Sequence, residues 1–233
     1  MNVVRLRLPW VAFIAAIVNW VAIAADWTTL QDISKPTTIV ILIVWFLIET
    51  RDQPWVWKSP RALFTAGLIF SLAGDVLLIG SGSGYFDAGL ALFLTAHICY
   101  IIGFNRPWVP PGNSTALCAL LLVAYAIVLY NGMYRDLHGV LKVAVAFYAI
   151  ALCTMVLSSL ETWRRPDWTG VGALLSSVGG LIFLSSDSLL ALNRFVWPEK
   201  NLELVTMVTY YLGQFGIISG VVNRHYRRSA PNA

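Results

Sequence analysis

Two aspartates stand inside apolar stretches long enough to cross a bilayer, and their placement constrains this chain more than any other feature. Asp75 lies in Ser71–Leu78 (SLAGDVLL) and Asp187 in Phe183–Leu190 (FLSSDSLL), so both follow small residues and precede an x-Leu-Leu. An ionisable group in hydrocarbon costs roughly 2.5–3.5 kcal/mol on insertion scales, and two at matching positions call for a reason. One reading is that the carboxylates face each other and form a site, with Gly74, Ser185 and Ser186 leaving room beside them. The other is a hydrogen-bonded packing contact, or separate acids in wet crevices.

With 58% of its 233 residues hydrophobic and 12% charged, the chain reads as an all-α polytopic membrane protein. Apolar windows predict eight transmembrane helices near 9–25, 36–50, 60–80, 86–104, 115–131, 139–160, 170–192 and 201–223. The loops between them are short, so residues 1–233 form a single integral membrane domain with no soluble one. The Asp75 and Asp187 segments are four helices apart, which fits a 4+4 tandem repeat of parallel orientation. The first run ends in Ala22–Ala25, resembling a signal-peptidase site, but Asn19 and Trp20 interrupt its apolar core, and we read it as a helix.

The net charge of +4 does not imply a nucleic-acid partner, because the charges sort by side. Arg5, Arg7, Arg51, Lys58, Arg61, Arg106, Arg164, Arg165, Arg224, Arg227 and Arg228 fall on one side, eleven of the 16 Lys and Arg. Lys35, Arg135, Lys142, Arg194 and Lys200 fall on the other. The positive-inside rule then puts both termini in the cytoplasm, in a membrane such as the bacterial inner membrane.

At about 1.5 Å per residue, both acids lie roughly 7–9 Å short of the outer ends of their helices. Lys35-Pro36 is expected to open the second helix, with Pro in the first turn and Lys35 at the outer interface. Lys35 is then either a snorkelling cation or a phosphate holder. His97 and Tyr100, three apart, share a face, and His97 is either a bonded packing residue or a site residue. Tyr148 is by default a core aromatic whose hydroxyl finds a partner. Asn193 and Arg194 end the seventh helix, where they border the outer mouth of any site around the acids. Helix eight brings Tyr210, Tyr211 and Gln214, the last either interhelical glue or a site residue, and a Gly216/Gly220 face for close packing. Cys99, Cys118 and Cys153 stand singly in separate apolar segments, and no ligand spacing supports a metal; no cofactor is expected.

Taken together, Lys35-Pro36, Gly74-Asp75 with Leu77-Leu78, Phe93/His97/Tyr100, Tyr148, Ser186-Asp187 with Leu190-Ala191, and Tyr211 with Gln214 resemble the YhhN family of membrane proteins. The set spans the second helix to the eighth. That resemblance implies a lysoplasmalogenase, which hydrolyses the vinyl ether bond of a lysophospholipid to a fatty aldehyde and a glycerophospho-ethanolamine or -choline. For that reaction the residue chemistry suggests Asp75 and Asp187 as the acid–base pair, either of them being the acid, Lys35 and Arg194 as phosphate holders, and His97, Tyr100, Tyr148, Ser186, Asn193, Tyr211 and Gln214 as binding or orienting groups. The expected partners are the lysophospholipid and the surrounding membrane lipids. The alternative is a small-molecule or proton-coupled transporter using the Asp pair as a relay. An intramembrane aspartyl protease fits poorly, since Ala73-Gly74-Asp75 supplies half of a GxGD motif and Asp187 follows Ser186 instead of Tyr.

Overall fold

A computed structural model describes residues 3–80 and 82–224; Arg227 and Arg228 lie outside them. Its elements are α1 (Val3–Ala24), α2 (Thr28–Glu49), α3 (Pro60–Leu77), α4 (Ser83–Phe104), α5 (Asn113–Met133), α6 (Val140–Leu160), α7 (Gly170–Phe195) and α8 (Lys200–Val222). A 3₁₀ turn, Glu161–Arg164, follows α6. The described residues contain no strand, as expected for an all-α membrane protein. Among the described residues seven helices, α2 to α8, are long and apolar enough to span; the apolar part of α1, Leu8–Ala24, is shorter. Short connections make successive helices alternate in direction, so the described chain begins and ends at one end of the bundle, here called the terminal end.

Three boundaries differ from expectation, and each moves a side chain of interest. Helix α2 begins at Thr28, so Pro36 sits in the helix interior instead of the first turn. Proline there removes one bond to the preceding turn, a defect that neighbouring helices tolerate in membranes. Lys35 consequently lies two turns inside the bundle. Helix α3 stops at Leu77, putting Asp75 in its last turn. Helix α7 continues to Phe195, so Asn193 and Arg194 are still helical.

The start of α3 is set by Ser59, whose hydroxyl accepts from the Ala62 amide at 3.2 Å, with Pro60 following. Thr169 does the same for α7, accepting from the Gly172 amide at 2.8 Å. Such caps satisfy amides that the helix leaves free.

Helices α7 and α8 pack closest of all. A methyl group added at Gly216 would lie 2.6 Å from the Gly179 Cα, and one at Gly213 would lie 2.9 Å from the Phe183 backbone. Small residues let these backbones touch, the device that replaces the hydrophobic effect inside lipid. Helix α5 is the opposite case. Leu117, Leu120, Leu121, Val123, Ile127 and Val128 are all exposed on it, the surface expected of a helix facing acyl chains.

At the terminal end the basic residues also build structure. The buried Arg165 donates to the Pro107 carbonyl and to Asn105 Oδ1, both at 2.7 Å, and Arg224 pairs with Asp167. Burial lowers the pKa of Arg165, against which Asp167 acts.

Replacing Gly216 by Ile forces α8 off α7, an overpacking cost of about 1–3 kcal/mol. The expected outcome is a melting temperature several degrees lower in detergent, followed by tryptophan fluorescence, while Gly132→Ile, where a new side chain meets open space, leaves it unchanged.

Candidate active site

Asp187 lies eight residues before the end of α7 and is 8% exposed. Its Oδ2 accepts the Tyr148 hydroxyl from α6 at 2.6 Å, and His97 Nε2 from α4 approaches the same oxygen at 3.1 Å. His97 Nε2 is also 3.0 Å from the Tyr148 hydroxyl. Because both neighbours of Nε2 are oxygens that need a donor, this nitrogen carries the hydrogen. His97 Nδ1 is buried and has no partner among the described residues. The imidazole is held edge-on to the Tyr148 and Phe183 rings, at 5.2 and 5.3 Å between centroids. Next along α7, Ser188 accepts from the Tyr125 hydroxyl of α5 at 2.8 Å. Asp187, Tyr148 and Ser188 line a narrow cleft of about 50 Å³ whose other walls are apolar, among them Phe86, Leu90, Leu129 and Phe195.

Asp75 has a different set of neighbours. Only 2% exposed, it accepts the Tyr210 hydroxyl from α8 at 2.7 Å, and its Oδ1 is 3.8 Å from Lys35 Nζ. The expectation that Lys35 sits at the outer interface is thereby corrected. With α2 starting at Thr28, the ammonium points into the bundle and serves as countercharge to the carboxylate. Beside it, Tyr211 donates to Asn19 Oδ1 at 3.1 Å, and Asn19 donates to Ser34 Oγ at 3.0 Å, so α1 is tied to α2 and α8. Gln214 accepts from Tyr100 at 2.9 Å and donates to Ser71 at 3.1 Å.

The two acids therefore occupy neighbouring clusters instead of one. No hydrogen bond joins the carboxylates among the described residues; a ring relay does. Tyr210 lies 5.6 Å from Phe183, which touches His97. His97 and Tyr148 converge on Asp187 and Lys35 on Asp75, while Tyr100, Tyr211 and Gln214 bond groups other than the acids. Ser186 donates across to the Thr206 carbonyl of α8 at 3.0 Å, a packing bond. Asn193 accepts from the Glu199 amide at 2.7 Å and shapes the α7–α8 turn, and Arg194 stacks on Phe86 at 4.7 Å.

The sequence alone gives no site role to Tyr210, Asn19, Ser71 or the Tyr125–Ser188 pair. Tyr210 was within reach, since it is four residues before Gln214 and so shares its inward face. No group of three or more His, Cys, Asp or Glu side chains is placed to hold a metal among the described residues.

A sequence profile of the YhhN family matches residues 30–221. The human lysoplasmalogenase TMEM86A is 29% identical over 201 residues, covering 82% of this chain and 81% of its own length. The bovine lysoplasmalogenase TMEM86A is 30% identical over 193 residues, covering 79% and 76%. A lysoplasmalogenase of Mycobacterium tuberculosis is 29% identical over 196 residues, covering 82% and 70%. No solved structure matches the chain.

Removing Lys35 alone strands a buried carboxylate, so Lys35→Met is expected to cost roughly 3 kcal/mol. Adding Asp75→Asn should recover most of that loss, a coupling read from melting temperatures of the two single variants and the double variant in detergent.

Proposed function

This chain belongs to the YhhN family, and from that premise we propose that it is a membrane-embedded lysoplasmalogenase, hydrolysing the vinyl ether bond of a lysophospholipid. The observation that carries the proposal is Asp187 lining a mostly apolar cleft, with Tyr148 and His97 bonded to the same oxygen. The apolar walls match the alkenyl chain in chemistry, and the cleft takes only the carbons next to the bond to be cut, which then meet the carboxyl group.

Vinyl ether hydrolysis starts at carbon. Asp187, in its acid form, gives its proton to C2′ of the alkenyl chain, leaving an oxocarbenium ion shared between C1′ and the ether oxygen. Water attacks C1′ and passes a proton back to the Asp187 carboxylate, which restores the acid and leaves a hemiacetal. The hemiacetal loses its hydroxyl proton as the C1′–O bond to glycerol breaks and the glycerol oxygen is protonated. Fatty aldehyde and glycerophospho headgroup result, with one water consumed.

Each neighbour has a part in that sequence. Tyr148 and the Nε2 hydrogen of His97 hold Asp187 in one rotamer and shuttle the proton of the hemiacetal step. Asp75, whose charge Lys35 compensates and whose carboxylate accepts from Tyr210, ties α3 to α2 and α8 beside the site. Tyr100, Tyr211, Gln214 and Ser186 hold the helices that carry these groups. Asn193 and Arg194 stand at the outer mouth, where Arg194 meets the phosphate. Both termini lie in the cytoplasm, and the mouth opens toward the outer leaflet.

Purified protein in detergent, where no gradient exists, should release aldehyde from lysoplasmalogen, an outcome a transporter would not give. Asp187→Asn should lower the rate at least about a hundredfold and Tyr148→Phe about tenfold, as befits the loss of an acid–base group and of its orienting bond. Full retention by Asp187→Asn removes that residue from the chemistry.

A further inference from the structure

A single hydrogen bond separates the cleft beside Asp187 from a larger space. Tyr125 of α5 donates to Ser188 of α7 at 2.8 Å, and among the described residues no other hydrogen bond joins these two helices. Ser188 lines the cleft, whereas Tyr125 lines an apolar groove of about 350 Å³ between the same two helices. Other walls of the groove are Cys118, Leu121 and Leu122 of α5 and Leu181 and Leu184 of α7. The bond is thus a partition with a cavity on either side.

The register of the helices puts the two cavities in line. Helices α5 and α7 run in the same direction, and on each the groove residues precede the cleft residues: Tyr125 comes one turn before Leu129, and Leu184 one turn before Ser188. Groove and cleft therefore lie end to end along one seam, with Asp187 near the junction and the groove reaching toward the terminal end. At about 50 Å³ the cleft is far smaller than the groove, so a chain whose first carbons lie beside Asp187 has to continue elsewhere, and the seam supplies the space.

The partition is also built to part. Ser188 Oγ donates to the Leu184 carbonyl of its own helix at 2.7 Å, so its hydrogen stays bonded when Tyr125 leaves. Both ends of α5 are tied on the α6 side, Thr115 donating to Glu161 at 2.7 Å and Tyr130 to the Lys142 carbonyl at 3.0 Å, so the middle of α5 can move off α7 while the ends hold. We propose that Tyr125 and Ser188 form a gate at the waist of one channel along the α5–α7 seam, which parts to let the hydrocarbon chain of the lysolipid run from Asp187 into the inner groove and so selects chains by length. The proposal rests on the lysolipid reading above. Tyr125 acts in it as a specificity residue, with no proton to move.

The test uses the full-length protein in a sterol-based detergent, which has no straight chain of its own, with saturated alkyl-ether lysolipids bearing hexyl or hexadecyl chains, which lack the reactive bond. Labelling of Cys118, in the groove wall, by N-ethylmaleimide is followed by peptide mass, with Cys153, which lines a separate groove between α5 and α6, as the internal control. The hexadecyl lipid should slow Cys118 labelling severalfold and the hexyl lipid should not, with Cys153 unchanged by either. With lysoplasmalogens of the same two lengths, Tyr125→Phe should lower KM for the long chain about threefold, the usual worth of a hydrogen bond between helices in lipid, and leave kcat and the short-chain KM as they are. Equal labelling of Cys118 with both lipids, or protection of Cys153 in its place, overturns the proposal. A Tyr125→Phe effect that is absent or equal for the two lengths overturns the gate as well. Protection of Cys118 that depends on chain length, without any aldehyde, would sink the catalytic reading and leave the channel standing, whereas aldehyde release without protection does the reverse.

Discussion

The cost of holding a carboxylate away from water governs this bundle. In hydrocarbon each acid needs compensating donors or a countercharge, and these arrive from helices distant in sequence. Asp187 on α7 recruits Tyr148 from α6 and His97 from α4; Asp75 on α3 recruits Lys35 from α2 and Tyr210 from α8. Six of the eight helices thus meet at these two acids. The tightest backbone contact serves the same end, for the glycines that let α7 touch α8 bring Tyr210 and Asp187 onto adjoining faces of one pair of helices.

The clusters differ in kind, and the difference suggests a division of labour. Asp75 is held in place by an ammonium and a phenol and does not line the cleft beside Asp187. Asp187 has a phenol and an imidazole, groups that exchange protons, and it opens onto a cleft. In the proposed chemistry the first holds the helices in place and the second moves the proton.

Much of this was legible in the sequence. Apolar runs and short loops are enough to specify an all-helical membrane bundle, because hydrocarbon leaves the backbone so few options. The two acids were legible for the same reason, as expensive residues in conspicuous places. Partners were harder. His97 and Tyr148 stood out as polar groups in apolar helices, but nothing local told which acid they would serve. Pro36 suggests a helix start and so puts Lys35 at the interface, whereas α2 begins at Thr28; tertiary support lets a membrane helix carry proline in its interior. Tyr210 was passed over for its neighbour Tyr211, a difference of 100° around the helix that only packing against α3 decides.

The cleft beside Asp187 is walled by side chains of α4 to α7, and α5 turns much of its own surface to the acyl chains. Under the proposed reaction the two fragments belong to different phases. A long-chain aldehyde dissolves in the surrounding lipid, and a glycerophospho-amine dissolves in water. Once the bond is cut, the fragments part company in opposite directions, and dilution into two solvents makes recombination negligible without any moving part.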